Sequence, residues 1–438
     1  MILKSWAEQI LKARHAPDVI GLHVMDSVAA FLAGVRTKEG ESLSELYGRR
    51  ADISERVAAV AAIVRLSECD DIHLASCVTP GAVVIPVALA FSGSRGEDEF
   101  NHAVAAGYTA GLRLGMGIGG AKALAGGVWP TLLAAPLMAA VTASCLSGHG
   151  ADRLAHAMAL ALAGVSGRLG RPRGAPSGRW FLLGEAVSRG LRASEAAGHG
   201  FRGDLTLLSK PWLAAQAGHD AVDLGAFDSS APASISDVGY KPFPLARQGA
   251  NAVVAFQTLL SKGLDPQRIR TIEVFVPAMN VALLNRPVLD NDRLSRLSNI
   301  GFQLACASLA PEMLYDVERA SRPAAPILEF ARRVTVTAAS DLEEHLPHRW
   351  AARVVVNTDG GRLEETVIGT GFDHDAPNLT QVLRDKWRRL LSPQDASDLL
   401  ENGHTAMTPE GRARIWQRID ACVSMAAQER REQGPIKG

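Results

Sequence analysis

Cysteine is scarce in this chain of 438 residues, and no two cysteines form a C-x-x-C pair. An odd and widely scattered set argues against a disulfide framework and against a thiolate zinc site. We therefore expect a reducing, cytoplasmic compartment. The five cysteines are Cys69, Cys77, Cys145, Cys306 and Cys422.

The sequence also has no excess of charge of either sign, with 46 basic and 46 acidic residues. Nucleic-acid binding needs a basic stripe that neutralises phosphates, and no such stripe is present. We therefore expect no nucleic-acid partner.

Long apolar runs free of helix breakers are absent as well. Residues 1–11 mix charged and apolar side chains at helical spacing, which predicts an amphipathic helix rather than a secretory signal. Residues 123–147 carry no charge, but they are rich in Ala, Gly, Thr and Ser and contain Pro130 and Pro136. Such a stretch is weakly hydrophobic, so we predict core helix and no membrane partner.

The length is about three times that of a usual domain, which favours two domains with a large buried core. The first half repeats apolar residues at intervals of three and four, the spacing of buried helices. Helices are predicted over residues 17–35, 55–66, 79–90, 100–114, 151–165 and 181–193.

The second half carries the period-two alternation of β-strands, at residues 269–277 and 333–337. Two further strand-like runs, 352–357 and 362–368, flank Asp359-Gly360, which is a hairpin signal. Helical patterns return after residue 378. We predict a mainly α protein with a discontinuous all-helical domain, 1–236 with 378–438, and a smaller α+β domain, 237–377.

Two motifs are set aside because the sequence around them does not fit the function they would indicate. Residues 115–120 satisfy G-x-G-x-x-G, but a dinucleotide fingerprint follows a strand, and this one ends a helical pattern. His345 and His348 have no partner acid at helical spacing, which argues against a metal site there.

The joint between the two halves reads Asp237-Val238-Gly239-Tyr240-Lys241-Pro242-Phe243-Pro244-Leu245-Ala246-Arg247. Its prolines hold the backbone extended and out of helix geometry. A lysine fixed at this joint can face a cleft, or it can be a plain surface residue of a linker.

Six short motifs occur in an order that resembles the MmgE/PrpD family, which includes 2-methylcitrate dehydratase, cis-aconitate decarboxylase and iminodisuccinate epimerase. The similarity spans nearly the whole chain. The motifs are the helix of residues 26–34, D-D-I-H with T-P-G at 70–81, G-Y at 107–115, the run 184–203, K-P-F-P at 241–244, and N-L-T with K-W at 378–387.

The resemblance implies an all-helical domain, an α+β lid, a homodimer, and a site in the interdomain cleft. It also implies elimination or epimerisation of small polycarboxylates without a metal or organic cofactor. This chemistry needs a base beside a carboxylate, cations that spread the developing charge, and an acid for the leaving group.

Three residues become candidates for catalysis: Lys241, Asp71 and His73. Lys241 is the candidate anchor or base, and Asp71 the candidate proton-handling carboxylate, whose pKa a desolvated cleft and Asp70 would raise. The alternatives are that an acid of this loop caps a helix and that His73 is simply hydrogen-bonded in place.

Several positions depart from the pattern of the resembling family. Thr79 and Trp129 stand where histidines are expected, Arg179 where a lysine is expected, and Ala250 and Leu304 where a histidine and a tyrosine are expected. Arginine keeps the charge but cannot act as a base, and a tryptophan wall favours a less charged, more hydrophobic substrate. The candidate substrate-binding residues are Asp70, Thr79, Trp129, Arg179 and Arg247.

Arg113 and Arg247 could equally form structural ion pairs. The leading hypothesis is a cofactor-independent lyase that forms a carbanion beside a carboxylate or carbonyl of a small specialised-metabolism substrate. An epimerase or double-bond isomerase is the first alternative, and a non-catalytic binding or scaffold protein is the second.

Overall fold

The computed structural model describes residues 1–12, 17–48, 52–169, 177–228, 233–289, 292–318 and 324–432. Within these ranges the chain forms two compact units. The first contains the described residues of 1–239 and 391–432, and the second contains those of 240–390. The domain bounds predicted above, 236/237 and 377/378, differ from these limits, and the division into domains stays a prediction.

The first unit is built from helices and contains one strand of two residues, β1 (Asp71–Ile72). Its helices are α1 (Ile2–Lys12), α2 (Pro17–Gly34), α3 (Lys38–Gly48), α4 (Ile53–Leu66), α5 (Gly81–Phe91), α6 (Glu97–Gly117), α7 (Ala121–Ala125), α8 (Pro130–Leu146), α9 (Ala151–Ala163), α10 (Gly178–Gly198), α11 (Lys210–Ala217), α18 (Pro393–Asn402) and α19 (Pro409–Glu432).

Helix α8 lies at the centre of this unit, in contact with α5, α6, α9 and α10. The close approach depends on small residues. A side chain at Gly111 of α6 would collide with Met138 of α8, and one at Gly190 of α10 would collide with the carbonyl of Pro136. The Ala/Gly-rich composition of the first half is therefore a packing requirement.

The C-terminal helix completes this core, since α19 packs on α3, α4 and α5. Arg412 of α19 is fully buried. Its Nε donates to Ser92 Oγ at 3.3 Å, and its guanidinium carbon lies 4.5 Å from the centre of the Phe100 ring. Without α19, an apolar face that includes Phe100 would lose its cover.

The second unit contains a four-stranded mixed sheet in the order β4-β3-β5-β6. Strand β3 is parallel to β4 and antiparallel to β5, which forms an antiparallel hairpin with β6. The elements are β2 (Gly239–Tyr240, across the unit boundary), α12 (Ala250–Ser261), β3 (Ile269–Val276), α13 (Ala278–Leu284), α14 (Arg293–Ser298), α15 (Ile300–Leu309), α16 (Ala325–Ala331), β4 (Val334–Ala338), β5 (Ala352–Thr358), β6 (Gly361–Val367) and α17 (Leu379–Leu390).

The fold confirms the expected class: mainly α, with a smaller α+β part. The Asp359-Gly360 hairpin is confirmed between β5 and β6. The stretch 123–147 is not one helix, because Gly126, Gly127 and Trp129 separate α7 from α8. The motif at 115–120 ends α6, as expected, with positive φ angles at Gly119 and Gly120.

Within the described ranges, no single helix is both long and apolar enough to cross a membrane. By length and composition alone, one pair of helices passes such a test when taken together. The pair is Val19–Gly34 with Lys38–Gly48, and it is bent by 98°.

Candidate functional site

The segment between α4 and α5 holds four of the predicted site residues. Two non-glycine residues in it, Glu68 and Cys77, have φ near +55°, a conformation that costs of order 1 kcal/mol and persists where the surroundings enforce it. A β-bridge pairs His73 with Val78 in the same segment. The segment is thus a tightly built loop.

Asp71 is buried and accepts three hydrogen bonds from this loop and its neighbours. Its Oδ1 accepts from the backbone N–H of Gly81, the first residue of α5, at 2.9 Å. Its Oδ2 accepts from the Tyr108 hydroxyl at 2.6 Å and from His23 Nδ1 at 2.9 Å. These are the contacts of a carboxylate that caps a helix. The proton-handling role of Asp71 stays a prediction.

His73 is also buried, and its ring is oriented by Ser76. Nδ1 lies 2.9 Å from Ser76 Oγ and 3.3 Å from the Ser76 backbone nitrogen. Because a backbone N–H can only donate, Nδ1 is an acceptor and the neutral ring carries its proton on Nε2. The Nε2–H of His73 is therefore a hydrogen-bond donor, and the catalytic role of His73 stays a prediction.

Asp70 is fully buried beside an arginine that sequence reasoning did not single out. Arg65 Nη1 lies 3.3 Å from Asp70 Oδ1 and 2.8 Å from Glu68 Oε2. Burial alone would lower the pKa of Arg65, but the two carboxylates raise it above its ordinary value. Arg65 is therefore charged, and both of these carboxylates belong to the segment between α4 and α5.

Trp129 lies in a cluster of aromatic and cationic side chains. Its ring meets that of Trp180 edge to face, with centres 6.1 Å apart. The Arg179 guanidinium carbon lies 4.6 Å from the Trp129 ring centre and 5.0 Å from that of Trp180, and Arg65 lies at 5.4 and 5.7 Å. The structure thus brings Asp70, Trp129 and Arg179 into one neighbourhood of the first unit.

Thr79 joins the N-terminal ends of two helices. Its backbone N–H donates to Thr131 Oγ1 at 3.1 Å, and the two hydroxyls are 3.2 Å apart. Thr79 precedes α5, while Trp129 caps α8 and Trp180 lies in the first turn of α10. Helix N-termini favour negative charge, so this region suits a bound anion.

Lys241 belongs to the second unit and is almost completely buried. The backbone N–H of the preceding residue, Tyr240, donates to the Phe372 carbonyl at 2.8 Å, and Phe243 packs edge to face on Tyr315. The segment around Lys241 is thus fixed, which excludes the plain surface linker. Its role as anchor or base stays a prediction.

Arg247 forms a buried ion pair with Asp373, with Nη2 and Oδ1 2.7 Å apart, and its Nη1 donates to Asn251 Oδ1 at 2.8 Å. Burial lowers the pKa of Arg247, and Asp373 opposes that change. These contacts are those of a structural arginine, and its predicted substrate contact stays a prediction. Arg113 is likewise occupied, since its Nη1 donates to Gln9 Oε1 at 2.9 Å.

The other two positions that differ from the family pattern carry apolar side chains. Ala250 and Leu304 both lie in the apolar core of the second unit. Across the ranges that the structure describes, no three His, Cys, Asp or Glu side chains are grouped so that they could hold a metal ion.

Sequence reasoning missed Arg65 and Trp180. Arg65 falls on the last turn of α4, where a basic residue is usually explained by the helix dipole. Trp180 directly follows Arg179, and this Arg-Trp pair is the signal in the sequence that could have indicated it. Only the packing of α10 on α8 brings the Trp180 ring to Trp129.

Two family models match the chain. Residues 18–224 match the MmgE/PrpD N-terminal domain, and residues 243–400 match the MmgE/PrpD C-terminal domain. Comparison with curated proteins found no match.

Proposed function

Because the chain belongs to the MmgE/PrpD family, whose members are generally lyases and dehydratases, we propose that it is a cofactor-independent lyase. The proposed reaction is an elimination through a carbanion beside a carboxylate or carbonyl of a small specialised-metabolism substrate. The observation that carries this proposal is the Arg179 guanidinium against the Trp129 and Trp180 rings, at the N-terminal ends of α8 and α10.

The proposed roles follow from the chemistry of each group. Arg179 holds the carboxylate and stabilises the charge that develops when the neighbouring carbon loses its proton. Arginine stays protonated near neutral pH, so the proton must go to another group. We propose that Lys241 accepts that proton and that the Nε2–H of His73 donates a hydrogen bond to the departing group. The leaving group departs with its bonding pair as the carbon–carbon double bond forms.

An epimerase or double-bond isomerase is the second candidate, and one observation favours it. At the two positions where the resemblance predicts histidine, Thr79 bonds to Thr131 and Trp129 stacks against Arg179. Neither side chain can protonate a leaving group, and an isomerase needs no leaving group.

Exchange of solvent deuterium into a panel of small carboxylates separates these functions. Net formation of an unsaturated product supports the lyase. Incorporation of deuterium without net consumption supports the isomerase, and neither signal across the panel supports a non-catalytic binding protein.

Replacement of Lys241 by methionine tests the assignment of the base. We expect turnover to fall at least about a hundredfold, the usual scale for a general base. The melting temperature serves as the control for folding, because Lys241 is buried. Wild-type turnover in a folded Lys241→Met protein would contradict the assignment.

We also propose that the active protein is a homodimer formed through the first unit, the pairing that the family resemblance implies. Light scattering should give a mass near twice 46.4 kDa at micromolar concentration. A mass of one chain would contradict this proposal.

A further inference from the structure

A cavity of about 120 Å³ opens on the surface of the first unit, between α8, α10 and the segment that follows α9. It has room for about four water molecules, at the ~30 Å³ that each occupies in the liquid, so its ligand must be small. Among the described residues that line it, the charged ones are Arg168, Glu185 and Arg189, and all three are exposed. None of these lining residues takes part in the proposed reaction. The cavity is therefore independent of the proposed function.

A proline inside α8 leaves a backbone acceptor at the floor of this cavity, which Leu132 and Pro136 both line. In a regular α-helix the Leu132 carbonyl would accept the backbone N–H of residue 136, but proline has no N–H. Residues four positions apart lie on one face of a helix, so this carbonyl lies between the two residues of α8 that line the cavity. The cavity therefore borders an acceptor whose helical donor is missing.

Glu185 of α10 supplies a second acceptor. Its Oε1 accepts from the Tyr47 hydroxyl at 2.9 Å, and among the described residues its Oε2 has no hydrogen-bond donor. A carboxylate and a backbone carbonyl that line the same small cavity suit an ammonium group, which has three donors and no acceptor. The two acceptors therefore favour a primary amine.

Two arginines supply positive charge to the same cavity. Arg189 lies over Gly164, and its Nη1 donates to the Gly164 carbonyl. Arg168 is held by a backbone bridge to Val128, and its guanidinium group lies against Gly218. Neither arginine forms an ion pair with a described residue, so both are available to a carboxylate, the anion that a guanidinium group binds with the best geometry.

We propose that this cavity is a binding site for a small α-amino acid. The ammonium group binds to Glu185 and to the Leu132 carbonyl, and the carboxylate binds to Arg189 and Arg168. A ligand with a carboxylate alone would lie beside Glu185 with no charge to offset it, and an amine alone would lie beside two arginines. A zwitterion is the class of ligand that satisfies both sets of groups.

Isothermal titration calorimetry with three probes tests the class of ligand. L-Alanine carries both charges, propionate lacks the ammonium group, and ethylamine lacks the carboxylate. We expect L-alanine to bind at least about tenfold more tightly than either of the others, because each of them loses the charge-assisted hydrogen bonds of one charged group.

The Glu185→Gln substitution tests the ammonium contact. Glutamine keeps an oxygen that accepts from Tyr47 but removes the negative charge, so the affinity for L-alanine should fall at least about tenfold while propionate binding does not weaken. Glu195→Gln is the matched control, since Glu195 is exposed on the same helix and lies outside the cavity. Arg189→Met should weaken L-alanine and propionate alike, by at least about tenfold.

The Pro136→Ala substitution tests the backbone acceptor. Alanine at this position supplies the missing N–H to the Leu132 carbonyl, so L-alanine should bind about threefold more weakly while propionate binds as before. The melting temperature of each variant is the control for folding.

Equal affinities for the three probes would overturn the inference, as would an absence of L-alanine binding at millimolar concentration. A folded Glu185→Gln protein that keeps the wild-type preference for L-alanine over propionate would also overturn it. An unchanged affinity for L-alanine in Pro136→Ala would refute the role of the Leu132 carbonyl. The comparison of probes uses the wild-type protein, so it decides the class of ligand even where a variant fails to fold.

Discussion

Substitutions of Asp71 can distinguish a structural role of its buried carboxylate from a catalytic role. Replacement by alanine would remove the acceptor of three hydrogen bonds, those from the Gly81 N–H, the Tyr108 hydroxyl and His23 Nδ1. A buried donor left unsatisfied costs about 1–3 kcal/mol, and the removal of a buried charge offsets part of the sum. We expect Asp71→Ala to lower the free energy of unfolding by about 4 kcal/mol.

Asparagine is the matched control for this change. Its side-chain oxygen can still accept from the Gly81 N–H, so Asp71→Asn should cost only about 1–2 kcal/mol. The measurement is the shift of the urea midpoint at a common slope, followed by circular dichroism. Tyr108→Phe should cost about 1 kcal/mol in the wild-type protein and close to nothing in the Asp71→Ala background, because the acceptor is already gone.

Two results would refute this reasoning. An Asp71→Ala protein within about 1 kcal/mol of wild type would show that the three hydrogen bonds do not stabilise the fold as calculated. A folded Asp71→Asn protein whose turnover falls about a hundredfold would show that the carboxylate has a catalytic role beyond its cap.

Three further predictions follow from the structure. A chain that ends at residue 390 should lose cooperative melting, because α19 covers the core of the first unit; a native-like melt would contradict this. Burial alone would raise the pKa of Asp395, but the Ser392 hydrogen bond and the charges of Arg36 and Arg418 hold this pKa below its ordinary value. Asp395→Asn should therefore destabilise the protein at pH 7, and the difference should begin to shrink near pH 4, the ordinary pKa of an aspartate, and disappear only below the lowered pKa of the folded protein; urea titrations at pH 7 and at a series of pH values below about 4 decide it. Burial raises the pKa of Cys77 and of Cys145 to about 12, so neither thiol should react with iodoacetamide at pH 8 until the protein is unfolded, as mass spectrometry can show.

The sequence alone determined the fold class and the family, because both depend on local signals in a fixed order. Apolar spacing marked α2, α4, α6 and α10, and Asp-Gly between two alternating runs marked the β5–β6 hairpin. Short helices such as α13 and α14 escaped prediction, since six or seven residues hold too little periodicity to be distinguished from loop.

The tertiary structure decided the partners of each candidate side chain. Asp71 and Arg247 both lie outside the helices and strands that the sequence predicts, and nothing in the sequence pairs the first with Tyr108 or the second with Asp373, which are 37 and 126 positions away. Likewise, Arg65 meets Trp180 only because α4 and α10 pack together. Spacing along the chain fixes which face of a helix a residue occupies. The groups that this residue contacts come from distant segments. Their distances and their burial decide whether a charged side chain caps a helix, forms an ion pair or binds a ligand.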